Sequence, residues 1–150
     1  MGHTLTNLLS HIVFGTKERM PLITADLRAR LFSYLGGIVR NLGGTVIAIN
    51  GTASHVHILA ELKPSTSVSE AVRVLKSNSS RWVHELGARF SKFGWQTGYA
   101  AFSVSRSNLK GVARYIDQQE EHHKRMDFRR EFVALLRKHG VQYDERYVWD

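Results

Sequence analysis

The sequence predicts an α+β fold with a four-stranded antiparallel sheet. Short apolar segments rich in β-branched residues, typical of strands, alternate with longer segments whose apolar residues recur at helical spacing. The predicted order is β, α, β, β, α, β, α, α, which is the ferredoxin-like or split βαβ arrangement with additional C-terminal helices. No long stretch rich in proline, glycine or serine divides the 150 residues, so we expect one domain over residues 1–150.

The first strand and the first helix are predicted before residue 45. Residues 8–16 (LLSHIVFGT) are rich in β-branched and large apolar side chains, and a charged run follows them. Thr24 is a suitable N-cap for the next helix, which Gly43 and Gly44 stop. Between these limits the apolar residues have helical spacing: Leu27, Leu31, Tyr34, Leu35, Ile38 and Leu42.

A β-hairpin is predicted next, from residues 45–50 (TVIAIN) and 55–63 (HVHILAELK) with a turn at 51–54. Because successive side chains of a strand point to opposite faces, His55 and His57 share one face of the second strand. Leu59 and Glu61 lie on the same face as the histidines. The opposite face is entirely apolar and consists of Val56, Ile58, Ala60 and Leu62.

The second half of the chain is predicted to form helix, strand, helix and helix. Residues 67–70 (SVSE) are a capping box that begins a helix, and the serines within 77–80 predict a bend in it. Residues 99–105 (YAAFSVS) alternate as a strand does. Ser107 or Asn108 then caps a helix reaching about His123, and a last helix runs from Asp127 to His139. The buried side of the first of these helices should contain Val68, Ala71, Val72, Leu75, Trp82, Val83 and Leu86.

Charge and composition narrow the classes of function. The chain has 21 Lys and Arg against 13 Asp and Glu, a formal charge of +8, which favours a nucleic-acid partner over other ligands. A basic surface without such a partner fits the charge equally well. Since there is no cysteine, disulfides and thiolate metal sites are excluded. We find no secretory signal and no segment long enough to cross a bilayer, and therefore expect a cytoplasmic protein.

The pair His55 and His57 is a candidate metal site. Two residues apart on a strand, the imidazoles are separated by about 7 Å and can converge on one cation. Imidazole suits transition metals, and an added oxygen ligand would extend the choice to Mn²⁺ or Mg²⁺. The structural alternative is a pair of satisfied core histidines, but a hydrophobic strand seldom places two titratable groups on one face without a use.

Tyr115 and Gln119 form a second constellation on the helix after the fourth strand. They are four residues apart and therefore share one helix face. The alternative is an ordinary amphipathic helix whose tyrosine packs at the core edge. Gln118 competes for the role of Gln119, although it would be rotated about 60° from Tyr115 instead of about 40°. His122, one turn beyond, is either a further ligand candidate or a surface residue.

Three motifs in order resemble one family. They are His55-Val-His57 followed by Ile-Leu, the strand segment 95–104 (WQTGYAAFSV) and the helix segment 115–119 (YIDQQ). Together they resemble the single-tyrosine transposases of the HUH endonuclease superfamily. This family includes the insertion sequence 200/605 group and the REP-associated tyrosine transposases, and the resemblance spans roughly residues 8–119.

The resemblance implies a specific chemistry. His55, His57 and Gln119 would hold a divalent cation, Mg²⁺ or Mn²⁺, and Tyr115 would be the nucleophile. Such enzymes cleave and rejoin single-stranded DNA through a 5′-phosphotyrosine bond and recognise hairpins. The family typically forms homodimers that share active sites, whereas residues 125–150 resemble an extension found in only part of it.

Two other functions compete with this prediction: a non-catalytic protein that binds hairpin nucleic acid, and a hydrolase that uses the histidines with Tyr115 as a bystander. The basic residues expected to contact DNA phosphates, with a solvated surface as the alternative role, are Lys17, Arg19, Arg73, Lys76, Arg81, Arg106, Lys110 and Arg114.

Overall fold

A computed structural model, which describes residues 2–150, contains a four-stranded antiparallel sheet in the order β2-β3-β1-β4. This order confirms the predicted ferredoxin-like α+β fold with additional C-terminal helices. The strands are β1 (Leu9–Gly15), β2 (Thr45–Gly51), β3 (His55–Glu61) and β4 (Ala100–Val104). The helices are α1 (Ala25–Asn41), α2 (Val68–Glu85), α3 (Leu109–Asp117), α4 (Gln119–His123) and α5 (Phe128–Lys138).

One face of the sheet packs against α1 and α2 and forms the main core. From β3 it receives Val56, Ile58 and Ala60, which meet the apolar stripes of the two helices. These are the residues that strand alternation assigns to the apolar face. The predicted stripe of α2 is present as well, since Ala71 and Leu75 are fully buried. We call this side of the sheet the helix-pair face.

The opposite face of the sheet is covered by α3, α4 and α5. Two smaller apolar clusters lie there, one centred on Leu59 and Ile116 and the other on Phe102 and Phe132. The second cluster fastens the C-terminal segment to β1 and β4, so residues 125–150 pack on the sheet. His55 and His57 lie on this side. We call it the histidine face.

The structure corrects two details of the helix predictions. The helix predicted to reach His123 is broken at Gln118 (φ −99°, ψ 20°), which separates α3 from α4. At the break, the Asn50 side chain on β2 donates hydrogen bonds to the carbonyls of Ile116 (2.9 Å) and Asp117 (3.1 Å). The bend predicted in α2 is absent: one helix continues through the serines, and the Ser79 hydroxyl donates to the Leu75 carbonyl (2.6 Å).

Over the described residues 2–150, none of the helices combines the length and the apolar character needed to cross a membrane.

Candidate metal and nucleophile site

His55 and His57 are fully buried, and their ring nitrogens have separate partners. The Nδ1 atom of His57 lies 2.8 Å from Nε2 of His11 on β1, and the Nδ1 atom of His55 lies 3.0 Å from the Thr52 hydroxyl. Both Nε2 atoms point instead towards one carboxylate oxygen of Glu131, each at 3.2 Å. Since hydrogen bonds at Nδ1 orient each ring, Nε2 is the nitrogen available to a cation.

Gln119 reaches the same place from α4. Its side chain is fully buried, and its Oε1 atom lies 3.1 Å from Nε2 of His55. Its amide nitrogen donates to Oε2 of Glu131 at 3.1 Å, which leaves the amide oxygen turned towards the histidine. Gln118, at the break between α3 and α4, is exposed. Of the two neighbouring amides, only that of Gln119 faces the histidines.

Glu131 is the residue that the sequence prediction missed. It lies on α5, is 1% exposed, and has its carboxylate at the centre of the cluster. The Tyr115 hydroxyl donates to its Oε2 atom, so a single carboxylate group separates the phenol from the histidine pair. His123 approaches Oε1 at 2.9 Å and His122 approaches Oε2 at 3.5 Å. His122, predicted as either a ligand or a surface residue, is partly buried at the edge of this cluster.

Burial controls the ionisation of this cluster. Loss of solvent lowers the pKa of His55 to about 4 and that of His11 to about 3, so both rings are neutral at physiological pH. Burial alone would raise the pKa of Glu131, but hydrogen bonds from His123, His55 and His57 outweigh it and hold that pKa well below the ordinary range. Burial and the Glu131 charge raise the pKa of the Tyr115 phenol, which is therefore fully protonated in this arrangement.

The donor atoms have the spacing that a divalent cation requires. The Nε2 atoms of His55 and His57 and one oxygen of Glu131 all lie within 4.8 Å of one another. The separations of His55 Nε2 from Gln119 Oε1 and of each imidazole from Glu131 are 3.1–3.2 Å. Adjacent ligands of an octahedral cation with bonds of about 2.1 Å are about 3 Å apart. Imidazole nitrogens suit transition metals, and the two oxygens extend the choice to Mn²⁺ or Mg²⁺.

A cavity of about 520 Å³ opens beside the nucleophile candidate. Tyr115, Glu131 and His122 line one part of it, and Ser107 and Lys138 lie on other parts of the wall. Small-molecule sites have volumes of roughly 300–1,000 Å³, so the cavity is large enough for a nucleotide. It provides the phenol with access to a substrate from solvent.

The eight basic residues predicted to contact DNA lie in different places. Arg106, Lys110 and Arg114 are exposed on α3, the helix that contains Tyr115, and on the turn before it. Lys17 and Arg19 are exposed just after β1. The other three lie on α2, beyond the helix-pair face: Arg73, Lys76 and Arg81.

The α2 cations have partners within the protein. Arg73 forms an ion pair with Glu70 (2.7 Å), and Arg81 donates to the Asn78 amide oxygen (3.0 Å). Lys76 is half-buried, and its ammonium donates to the backbone carbonyls of residues 96, 97 and 98 at 2.5–3.0 Å. Of the predicted DNA contacts, Arg106, Lys110 and Arg114 are therefore the exposed cations on or just before the helix of Tyr115. Lys76 instead holds the loop of residues 96–98 against α2.

Comparisons with known proteins identify the family of this chain. The profile of the family described as "Transposase IS200 like" matches residues 4–119. The transposase for insertion sequence element IS200 of Salmonella typhimurium is 30% identical over 129 residues, which cover 83% of this chain and 84% of the relative. The ISDra2 transposase TnpA of Deinococcus radiodurans is 23% identical over 116 residues, covering 74% and 83% of the two chains.

Two solved structures have a similar fold. A putative transposase from Deinococcus radiodurans gives a TM-score of 0.62 at 21% identity, covering 79% of this chain and 96% of the other. A REP-associated tyrosine transposase bound to a REP hairpin gives 0.60 at 13% identity, covering 95% and 89%. At these identities the likeness concerns the fold.

Proposed function

Because the chain belongs to the IS200-like transposase family, we propose that it cleaves and rejoins single-stranded DNA through Tyr115. The observation that supports this most is the hydrogen bond from the Tyr115 hydroxyl to Glu131, whose other oxygen faces His55 and His57. One phosphate could therefore contact both the phenol and a cation held by the imidazoles.

In the proposed reaction the Tyr115 oxygen attacks a DNA phosphorus. A bond forms between the phenol oxygen and phosphorus, the bond from phosphorus to the 3′ oxygen breaks, and a free 3′ hydroxyl results. The 5′ phosphate stays on Tyr115, so attack by a 3′ hydroxyl reverses the step and rejoins DNA without an external energy source. A phenol whose pKa is raised by burial must lose its proton during attack, and Oε2 of Glu131, which accepts the hydrogen bond of the Tyr115 hydroxyl, would take it. The leaving 3′ oxygen would take a proton from water.

We propose that His55, His57 and Gln119 hold a divalent cation, Mg²⁺ or Mn²⁺. When bound, such an ion neutralises negative charge on the phosphate and orients it for in-line attack. The protein would contribute imidazole and amide ligands, and the far sides of the two imidazoles are held by His11 and Thr52. These contacts keep the Nε2 atoms aimed at the site in the absence of substrate.

The proposed substrate is single-stranded DNA with a hairpin. The structurally similar REP-associated transposase is bound to a REP hairpin, and the cavity beside Tyr115 could hold one nucleotide of such a strand. The exposed Arg106, Lys110 and Arg114, on α3 and the turn before it, would contact phosphates. Assembly as a homodimer remains a prediction from the family resemblance. Because Tyr115 lies beside the histidines of its own chain, the proposed chemistry requires no exchange of helices.

The test is the Tyr115→Phe variant with a labelled single-stranded hairpin DNA and Mn²⁺, analysed on a denaturing gel. We expect a covalent protein–DNA adduct with the unaltered protein and a loss of cleavage of about 1,000-fold or more in the variant. Hairpin affinity should change little, because only the hydroxyl is removed. Tyr147→Phe, an exposed tyrosine, is the matched control and should cleave normally.

The competing functions give different results. A non-catalytic binder would retain the hairpin and form no adduct. If the protein is a hydrolase in which Tyr115 takes no part, the Tyr115→Phe variant would still cleave the DNA. That result would refute the proposal.

A further inference from the structure

We propose that Glu131 is a ligand of the divalent cation and also positions the Tyr115 hydroxyl, so that the C-terminal segment completes the active site. This inference rests on the proposed function. It extends the site beyond the part of the chain that matches the family, because the match ends at residue 119.

The two carboxylate oxygens of Glu131 face different partners. Oε1 lies 3.2 Å from Nε2 of both His55 and His57, at the separation expected between adjacent ligands of one cation. Oε2 accepts hydrogen bonds from the Tyr115 hydroxyl and from the Gln119 amide. One carboxylate thus connects the nucleophile candidate with three metal-ligand candidates. Such an arrangement holds the phenol at a fixed place relative to the cation.

The burial of Glu131 is the second argument. An ionised carboxylate that is 1% exposed is costly unless positive charge compensates it. Within the described residues 2–150, the ion-pair partners of Glu131 are all histidines: His55, His57, His122 and His123. No lysine or arginine in that range neutralises it. A divalent cation between Glu131 and the two strand histidines would supply the missing charge.

Contacts on both sides of Glu131 hold α5 in place. The Asp127 side chain caps α5 by accepting a hydrogen bond from the Arg130 backbone (2.8 Å). Phe128 stacks on the His55 ring with centroids 4.0 Å apart, and Phe132 is buried in the apolar cluster beside β4. Glu131 lies between these aromatic residues and consequently points at the histidines.

The experiment measures Mn²⁺ binding by calorimetry without DNA, so its outcome does not depend on cleavage. We expect Glu131→Gln and Glu131→Ala to bind Mn²⁺ more weakly, by about 10- to 100-fold or more. Glu145→Gln, an exposed glutamate in the same C-terminal segment, should bind as the unaltered protein does. Tyr115→Phe should also keep its Mn²⁺ affinity, which separates this test from that of the nucleophile.

Added formate provides the decisive control. If Glu131 is a ligand, formate should restore much of the Mn²⁺ affinity of Glu131→Ala by replacing the missing carboxylate. Glu131→Gln is nearly isosteric and keeps the test possible if the alanine variant does not fold. Unchanged or tighter Mn²⁺ binding in the variants, together with faster DNA cleavage, would overturn the inference and identify Glu131 as a group that obstructs the site.

Discussion

The two faces of the sheet are equally buried but differ in what stabilises them. Six of the seven residues of β3 are buried, and they alternate between the two faces. On the helix-pair face, Ile58 packs in a continuous apolar core. On the histidine face, His55 and His57 are held by hydrogen bonds from four other segments of the chain. Burial therefore favours apolar packing on one face, whereas on the other it controls the protonation of a polar cluster.

The two faces should therefore lose stability under different conditions. Apolar contacts do not depend on pH and tolerate the loss of any single polar group. In a buried polar cluster every polar group needs a hydrogen-bond partner, because a group left without one lowers the stability by its full desolvation free energy. The following experiments separate the two faces, beginning with the largest expected effect.

Lowering the pH from 7 to 5 in the presence of EDTA should destabilise the protein through the histidine face. His55 and His11 have folded pKa values of about 4 and 3, below the ordinary 6.5, so the unfolded chain binds more protons between these limits. Stability is then lost as the pH falls below 6.5, by about 1.4 kcal/mol per unit for each ring, or about 4 kcal/mol for both at pH 5. Glu131 adds a loss only below pH 4.5. Urea unfolding at several pH values measures this.

His11→Gln identifies the source of that slope. Glutamine can still accept a hydrogen bond from His57 but does not titrate, so the pH slope should fall by about 1.4 kcal/mol per unit. His3→Gln, at an exposed position, should leave it unchanged. An unaltered slope in His11→Gln would mean that the buried ring takes up its proton at an ordinary pH.

Ile58→Ala should affect the helix-pair face alone. Removing a fully buried isoleucine leaves a cavity and should lower the free energy of unfolding by about 3 kcal/mol. The loss should be the same at pH 7 and pH 5, and Mn²⁺ affinity should be retained at temperatures where the variant is folded. Denaturant unfolding and calorimetry test both points. A weakened Mn²⁺ affinity would show that the two faces are coupled through β3.

The N-caps of α2 and α5 can be compared directly, and the expected loss of stability is smaller for each. The Ser67 hydroxyl accepts from the Glu70 backbone at the start of α2, and the Asp127 carboxylate does the same for Arg130 in α5. Replacement of either by alanine should cost about 1 kcal/mol of stability. Only Asp127→Ala should also weaken Mn²⁺ binding, since α5 presents Glu131. Equal Mn²⁺ affinities in the two variants would contradict a functional role for α5.

Local patterns were sufficient for the helix-pair face and for part of the histidine face. Alternation along β3 separates Val56 and Ile58 from the histidines, because a strand has a period of two. Helical spacing places Tyr115 and Gln119 together. The break at Gln118 was not predicted, since it depends on a contact from Asn50, 66 residues earlier. Local spacing contains no information about such a partner.

Glu131 and His11 were missed for a similar reason, although each has a signal. Glu131 is an acidic residue within the apolar stripe of α5, between Phe128 and Leu135, and His11 interrupts an otherwise apolar strand. A polar residue on a buried face indicates a partner but does not identify it. Lys76 was predicted to contact DNA, but its ammonium donates to the backbone carbonyls of residues 96–98. Only the tertiary structure brings these carbonyls close to Lys76.

The contact of Asn50 with the end of α3 has a consequence for stoichiometry. The Asn50 side chain donates to the carbonyls of residues 116 and 117, and so holds α3, the helix that contains Tyr115, against the sheet of the same chain. Under the proposed function, Tyr115 would then act beside the histidines of its own polypeptide. Each bound polypeptide could then cut one DNA strand with its own tyrosine, whether or not a second copy is attached.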